Sequence, residues 1–344
     1  MNLRYLIGQN SLIEFRQWFE KQNYSTCFVL TDQNTSLHCY PVFSEITSLQ
    51  TSQIIIQAGE KNKNIHNCEK IWNELLMNGA DRKSLLINLG GGMVTDIGGF
   101  CAATYMRRID YMNIPTSLLG MIDAAIGGKT GVDLDLYKNT IGSFYEPKTT
   151  VVYAGFLDTI EPRQLQAAFG EMIKYNLLLP FIPFDELFKA YGTIPDYDLI
   201  RSCINSKIEV VRDDPFETKG IREILNLGHT FGHAFETLSI EKGKDLLNGE
   251  AVALGIIAEM ILSERLYTHK APHSKFIEEF ILEKFDKSFL AKTDINRLWS
   301  IIKKDKKNVE GKCKFILIDD HGKIRPVFVE ENEIRSVLEQ FIQL

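Results

Sequence analysis

Leu85-Leu86-Ile87-Asn88-Leu89-Gly90-Gly91-Gly92-Met93-Val94-Thr95-Asp96-Ile97-Gly98-Gly99-Phe100 decides the fold class. A short apolar run that stops at glycines reads as a buried strand, and the segment after the glycines reads as a helix. Bare glycines let a pyrophosphate approach the backbone, and a helix N-terminus supplies N–H donors with a partial positive charge. The segment is not a GxGxxG fingerprint, so a plain tight turn competes with a nucleotide site; the strand before it and the helix after it favour the nucleotide.

Before this segment, Cys27 to Thr31 predicts a strand ending in Asp32-Gln33-Asn34, and Gln53 to Gln57 predicts another leading to Gly59-Glu60-Lys61. Asn67 to Asn78 reads as a helix, and Tyr111 to Ile114 and Thr149 to Tyr153 as further strands. This alternation predicts a Rossmann-like α/β domain with a mostly parallel sheet and ligands at the carboxyl ends of its strands. Beyond Gly155 the segments lengthen and become amphipathic, which predicts a mainly helical second domain. The expected division is therefore 1–155 and 156–344. A chain of 344 residues suits two domains, because single cores stop growing at roughly 250 to 300 residues.

A formal net charge of -6 argues against a general nucleic-acid binder, which neutralises phosphates with a basic excess. A small anion needs only a few placed lysines. The six cysteines are scattered without a CxxC pair, the pattern of reduced thiols in a cytosolic protein. The N-terminus has no secretory h-region, and the apolar run Ala251 to Leu262 is interrupted by Glu259 and too short for a bilayer. A soluble cytoplasmic protein with no membrane partner is expected.

Several segments carry residues suited to chemistry. Met121 to Gly131 places Asp123, two glycines and Lys129 in a loop-like stretch, followed by Lys138-Asn139. Exposed lysines are usually solvated surface, but glycine-flanked loops let ammonium groups converge on an anion. In Phe169-Gly170-Glu171-Met172-Ile173-Lys174 a carboxylate and an amine lie three apart on one helix face. They are either a modest ion pair or a metal ligand beside a substrate lysine. Leu225 to Glu236 predicts one helix on which Asn226, His229 and His233 share a stripe. Such a stripe suits a metal or a proton shuttle, and equally two packed, hydrogen-bonded histidines. Lys207 falls in a helical stretch, Asp213-Asp214-Pro215 breaks it before Arg222, and Lys314 to Ile318 with Ile324 to Phe328 predicts a hairpin.

Together, the glycine-rich stretch, Met121 to Gly131, Lys138-Asn139, Gly170 to Lys174, Leu225 to His233 and Asp305-Lys306-Lys307-Asn308 resemble the 3-dehydroquinate synthases of the sugar phosphate cyclase family, in order and spacing from about Asp32 to Asn308. The resemblance implies an NAD-binding N-terminal domain, a helical C-terminal domain carrying a divalent metal, zinc or cobalt, and a sugar-phosphate substrate in the cleft between, in a homodimer. It assigns Asp32, Asn34, Glu60 and Lys63 to the adenosine side of NAD, and Gly91, Gly92, Met93 and Asp96 to the pyrophosphate. Thr116 and Ser117 line the cofactor. Arg107, Asp123, Lys129, Lys138, Asn139, Lys174, Lys207, Arg222, Asn226, His233 and Lys306 surround the substrate. Glu171, His229 and a residue of Leu247 to Val252 bind the metal.

At that third position the family pattern has histidine before Gly-Glu, and this chain has Asn248. Three outcomes stay open: a weakened site, a site completed by the Asn248 oxygen, water or Glu250, or a homologue without the chemistry. The activity implied is conversion of 3-deoxy-D-arabino-heptulosonate 7-phosphate to a carbocycle and phosphate, with NAD regenerated in each turnover. The metal polarises the hydroxyl at carbon 5, His233 relays its proton, and the departing phosphate assists its own elimination. The alternatives are a metal- and NAD-dependent polyol dehydrogenase, which has little use for so many anion-binding residues, and a binding or regulatory homologue.

Overall fold

The run Leu85–Gly90 forms a strand buried along its whole length, as expected of a strand covered on both faces of a parallel sheet. In the computed structural model, which describes residues 5–135, 137–267, 273–303 and 312–344, the chain divides into two units. The first runs to Leu165 and includes Ile194–Ile208; the second comprises Gln166–Thr193 and Glu209–Leu344. The sequence reading placed its one boundary after Gly155.

The first unit holds strands β1 (Tyr5–Ile7), β2 (Cys27–Asp32), β3 (Ser52–Ile56), β4 (Leu85–Gly90), β5 (Asp110–Pro115), β6 (Lys129–Leu134), β7 (Tyr137–Phe144) and β8 (Thr150–Val152). Six of these make one sheet in the order β1-β8-β5-β4-β2-β3, with every pairing parallel. Helices α1 (Ser11–Phe19), α2 (Gln33–His38), α3 (Tyr40–Thr47), α4 (Ile65–Met77) and α5 (Gly92–Thr104) connect them. Phe28, Leu30, Leu86, Ile97 and Tyr111 belong to the core that α4 and α5 build with the sheet. From β2 the chain steps to β3 on one side and then to β4 on the other, so the direction of winding reverses between β2 and β4. Ligands of open α/β sheets bind outside the strand ends at such a reversal.

Met121 to Gly131, read as a loop, is more ordered than expected. It forms a helical turn at Gly120–Ala124 and then enters β6, which pairs antiparallel with β7. Glycines on either side of the pairing explain the loop-like sequence: a Cβ on Gly142 would lie 2.3 Å from the Thr130 carbonyl oxygen.

Helices α6 (Pro162–Ala167), α7 (Phe169–Leu178), α8 (Phe184–Lys189), α9 (Tyr197–Asp213), α10 (His229–Glu241), α11 (Asn248–Leu266), α12 (Ser274–Lys284), α13 (Ile295–Ile302) and α14 (Glu331–Gln343) follow. The second unit is mainly helical, with one antiparallel hairpin of β9 (Cys313–Ile318) and β10 (Ile324–Val329), where the sequence reading put it. All six cysteines are buried thiols, and burial pushes Cys39 up to about 11. Among the described residues no helix is long and apolar enough to cross a membrane.

Candidate active site

In the first unit, the cofactor candidates stand at the carboxyl ends of four adjacent strands. Asp32 closes β2, Glu60 and Lys63 follow β3, Gly91, Gly92, Met93 and Asp96 follow β4, and Thr116 and Ser117 follow β5. Asp32 also caps α2, accepting from the Thr35 N–H at 2.8 Å, while Asn34 is exposed on the first turn of that helix. Gly91 precedes the first turn of α5, whose leading N–H groups have no partner within the helix.

Three residues far apart in the chain meet here. The Lys63 ammonium, 3% exposed, lies 2.5 Å from Asp96 and 3.6 Å from Glu60, and donates to the Asn139 side-chain oxygen at 2.6 Å. Burial alone would lower the Lys63 pKa, but Asp96 and Glu60 outweigh it and hold the group above the ordinary lysine range. A second pair joins Lys207 to Asp123, at 2.5 Å to the carboxylate and 2.7 Å to the backbone oxygen. Lys129 and Lys138 are exposed. Arg107 is exposed too, in an unusual backbone: Met106, Arg107 and Arg108 have φ of 47°, 64° and 110°. Such conformations cost of order 1–3 kcal/mol each for residues with a Cβ.

In the second unit, the starts of α7 and α10 lie against α11 because glycines let their backbones touch. A Cβ on Gly170 would lie 2.0 Å from the Gly249 oxygen, and one on Gly255 would lie 1.9 Å from the Gly228 oxygen. These contacts bring the first turns of α7 and α10 against the first half of α11. Glu171, His229 and Asn248 sit on those first turns.

The single helix expected over Leu225–Glu236 is corrected. Gly228 has φ +81°, so α10 starts at His229 and Asn226 ends a separate 3-10 turn, Arg222–Asn226. The Asn226 amide donates to the Glu223 carbonyl at 3.0 Å. His229 and His233 do share a helix face, their rings edge to face at 5.6 Å, with His233 exposed.

His229 Nδ1 lies 3.1 Å from the Leu227 carbonyl oxygen, an acceptor only, so Nδ1 carries the hydrogen. The neutral ring then offers its lone pair at Nε2, 3.5 Å from Glu171 Oε1. Two ligands at about 2.0–2.2 Å from one tetrahedral ion lie about 3.3–3.6 Å apart, so carboxylate and imidazole fit a shared divalent cation. Glu171 is 0% exposed and its partner Lys174 1%, so the ion pair that the spacing allows is fully buried. Asn248 is half-buried, and its side chain makes no hydrogen bond with the described residues. Among the described residues no three His, Cys, Asp or Glu side chains group as a metal cluster, so a third protein ligand drawn from them to join Glu171 and His229 would be of another type.

Two supporting carboxylates were missed in the sequence. Glu259, 1% exposed, accepts from the Gly228 N–H at 2.7 Å and so holds the residue before His229. A lone carboxylate within the apolar run Ala251 to Leu262 was its signal. Asp214, fully buried, accepts from the N–H groups of Thr218, Lys219 and Arg222 at 2.8, 3.1 and 3.2 Å. Burial opposes ionisation, but these donors hold its carboxyl below the usual range. Arg222, also buried, donates to the Pro215 carbonyl at 2.8 Å. Lys306 lies outside the described residues.

Residues 53–167 match the model of the 3-dehydroquinate synthase N-terminal domain, and residues 168–308 that of its C-terminal domain. The chain is 37% identical over 317 residues to the 3-dehydroquinate synthase of Parabacteroides distasonis, covering 91% of this chain and 90% of the relative. It is 39% identical over 328 residues to that of Endomicrobium trichonymphae, covering 91% and 88%. Among solved structures, 2-deoxy-scyllo-inosose synthase complexed with carbaglucose-6-phosphate, NAD+ and Co2+ superposes with a TM-score of 0.86 at 22% identity, over 98% of this chain and 96% of the other. The 2-epi-5-epi-valiolone synthase of Streptomyces hygroscopicus, with NAD+ and Zn2+ bound, does so with 0.82 at 22% identity, over 100% and 97%. On the two matched domain models and on relatives above 30% identity along most of their length, the chain belongs to the 3-dehydroquinate synthase family.

Proposed function

We propose that this chain is a carbon–oxygen lyase that converts 3-deoxy-D-arabino-heptulosonate 7-phosphate to 3-dehydroquinate and phosphate, in the shikimate pathway of aromatic amino acid biosynthesis. It acts in the cytoplasm as a homodimer. The observation that carries the reading is the approach of His229 Nε2 to Glu171 at 3.5 Å, on the first turns of α10 and α7.

Bound NAD supplies a hydride acceptor and donor, and a bound divalent cation supplies Lewis-acid polarisation of a substrate hydroxyl. Glu171, His229 and Asn248 would hold the cation. The N–H groups at Gly92 and Met93 would meet the pyrophosphate, with Asp32 and Asn34 toward the adenosine and Thr116 and Ser117 along the cofactor. Glu60, Lys63 and Asp96 form one ionic cluster, which would fix the β3 and β4 loops around it. His233 takes the proton of the substrate hydroxyl, a task suited to imidazole. Lys174, held on Glu171, presents a positive charge beside that hydroxyl, and Asn226 orients a neighbouring group. Arg107, Lys129, Lys138, Asn139 and Lys306 bind the phosphate, and Arg222 meets the carboxylate. Lys207 and Asp123, already paired, bind further hydroxyls.

The test is phosphate release from the heptulosonate phosphate by the metal-loaded protein with NAD, read beside absorbance of NADH. Phosphate released without net NADH is expected. NADH accumulating with a polyol, or no phosphate under any divalent metal, overturns the reading.

A further inference from the structure

We infer that Asn248 completes the cation site through its amide oxygen, and that the resulting oxygen-rich donor set biases the centre away from Zn2+ toward harder divalent ions of the Mn2+ class. The inference rests on the proposed metal site and concerns which ion that site takes.

The donors are limited. Glu171 contributes carboxylate oxygen and His229 one imidazole nitrogen, and no third His, Cys, Asp or Glu joins them among the described residues. Glu250, the other candidate nearby in sequence, is turned to the backbone: its Oε2 accepts from the Leu247 N–H at 2.9 Å, closing the first turn of α11. Asn248 is left as the side chain at the head of α11, next to the Gly249 that touches Gly170. Its amide is half-buried and makes no hydrogen bond with the described residues. A site of one nitrogen and two oxygens differs from a zinc centre rich in imidazole or thiolate. Carbonyl and carboxylate oxygens suit Mn2+ and Mg2+, whereas each added imidazole favours Zn2+. An amide oxygen is also neutral, so Glu171 alone among the three ligands brings charge, and Lys174 shares it.

The experiment is a competition titration of the chelator-stripped full-length protein with ZnCl2 and with MnCl2, by calorimetry, with melting temperature recorded alongside. Wild type, Asn248→His, Asn248→Ala and Glu171→Gln are compared. Asn248→His is expected to widen the preference for Zn2+ over Mn2+ by about tenfold or more, and Asn248→Ala to weaken Mn2+ binding. A wild-type preference for Zn2+ as wide as that of Asn248→His overturns the inference. Mn2+ binding unchanged in Asn248→Ala, or wild type binding neither ion while Asn248→His binds Zn2+, overturns it as well. If Glu171→Gln leaves all binding unchanged while the fold melts normally, the metal-site reading itself fails, which separates the two.

Discussion

Asp214 shows how much one side chain can organise. Its carboxylate collects the N–H groups that follow α9 and thereby sets the backbone that carries Arg222. Because its folded pKa lies below the unfolded value, it contributes stability above about pH 3.9 that is lost as pH falls through the folded value. Asp214→Asn should therefore lower the melting temperature fully at pH 7, with the gap to wild type closing below about pH 4. A gap that persists unchanged at pH 3 would contradict the assignment. At this scale the sequence was partly legible. Glu171, Lys174 and His229 could be picked out because their spacing matched a pattern, and they do meet. The Lys63–Asp96–Asn139 cluster could not, because its members are separated by 33 and 76 positions and only the sheet's winding together with the β6–β7 pair brings them together.

Among elements, the contacts between α7, α10 and α11 decide the geometry of the metal candidates. Backbone against backbone leaves no room for a methyl group, and a forced fit in a packed interior costs typically 1–3 kcal/mol. Gly170→Ala and Gly255→Ala are each expected to lose about that much stability and, through the displaced helix heads, to weaken metal binding. Denaturant unfolding and metal titration check both, and unchanged metal affinity in a destabilised Gly255→Ala protein would uncouple packing from the site. Strand ends were well read, since β2, β4 and β5 stop at a capping aspartate, a glycine and a proline. Two elements were not. β1 has only Tyr5–Ile7, too short for a periodic signal, and the helix through Leu225–Glu236 was broken by Gly228, whose left-handed backbone an apolar periodicity does not register.

For the whole molecule, the division of the chain into units was the least legible feature. The expected change of rhythm after Gly155 is real in character, since helices dominate the second unit. The return of Ile194–Ile208 to the first unit left no compositional mark. What holds that segment is specific: Lys207 bonds to Asp123, and Tyr5 donates to Asn205 at 2.6 Å. A fragment of residues 1–165 is therefore expected to melt below the same fragment supplied with a linked 194–208 segment, by thermal scan, with Lys207→Met removing part of the difference. Equal melting of both fragments would show that the segment is dispensable.

That return has a bearing on how the protein is made and how it could have been assembled. A ribosome releases all six strands of the parallel sheet before it reaches Gln166, yet the last piece belonging to that layer emerges only after 28 residues of the other unit, Gln166–Thr193, have been synthesised. Neither half is finished when its neighbour starts. A recombination event with one crossover point could not exchange either half intact, so the two are expected to have been inherited as a single piece.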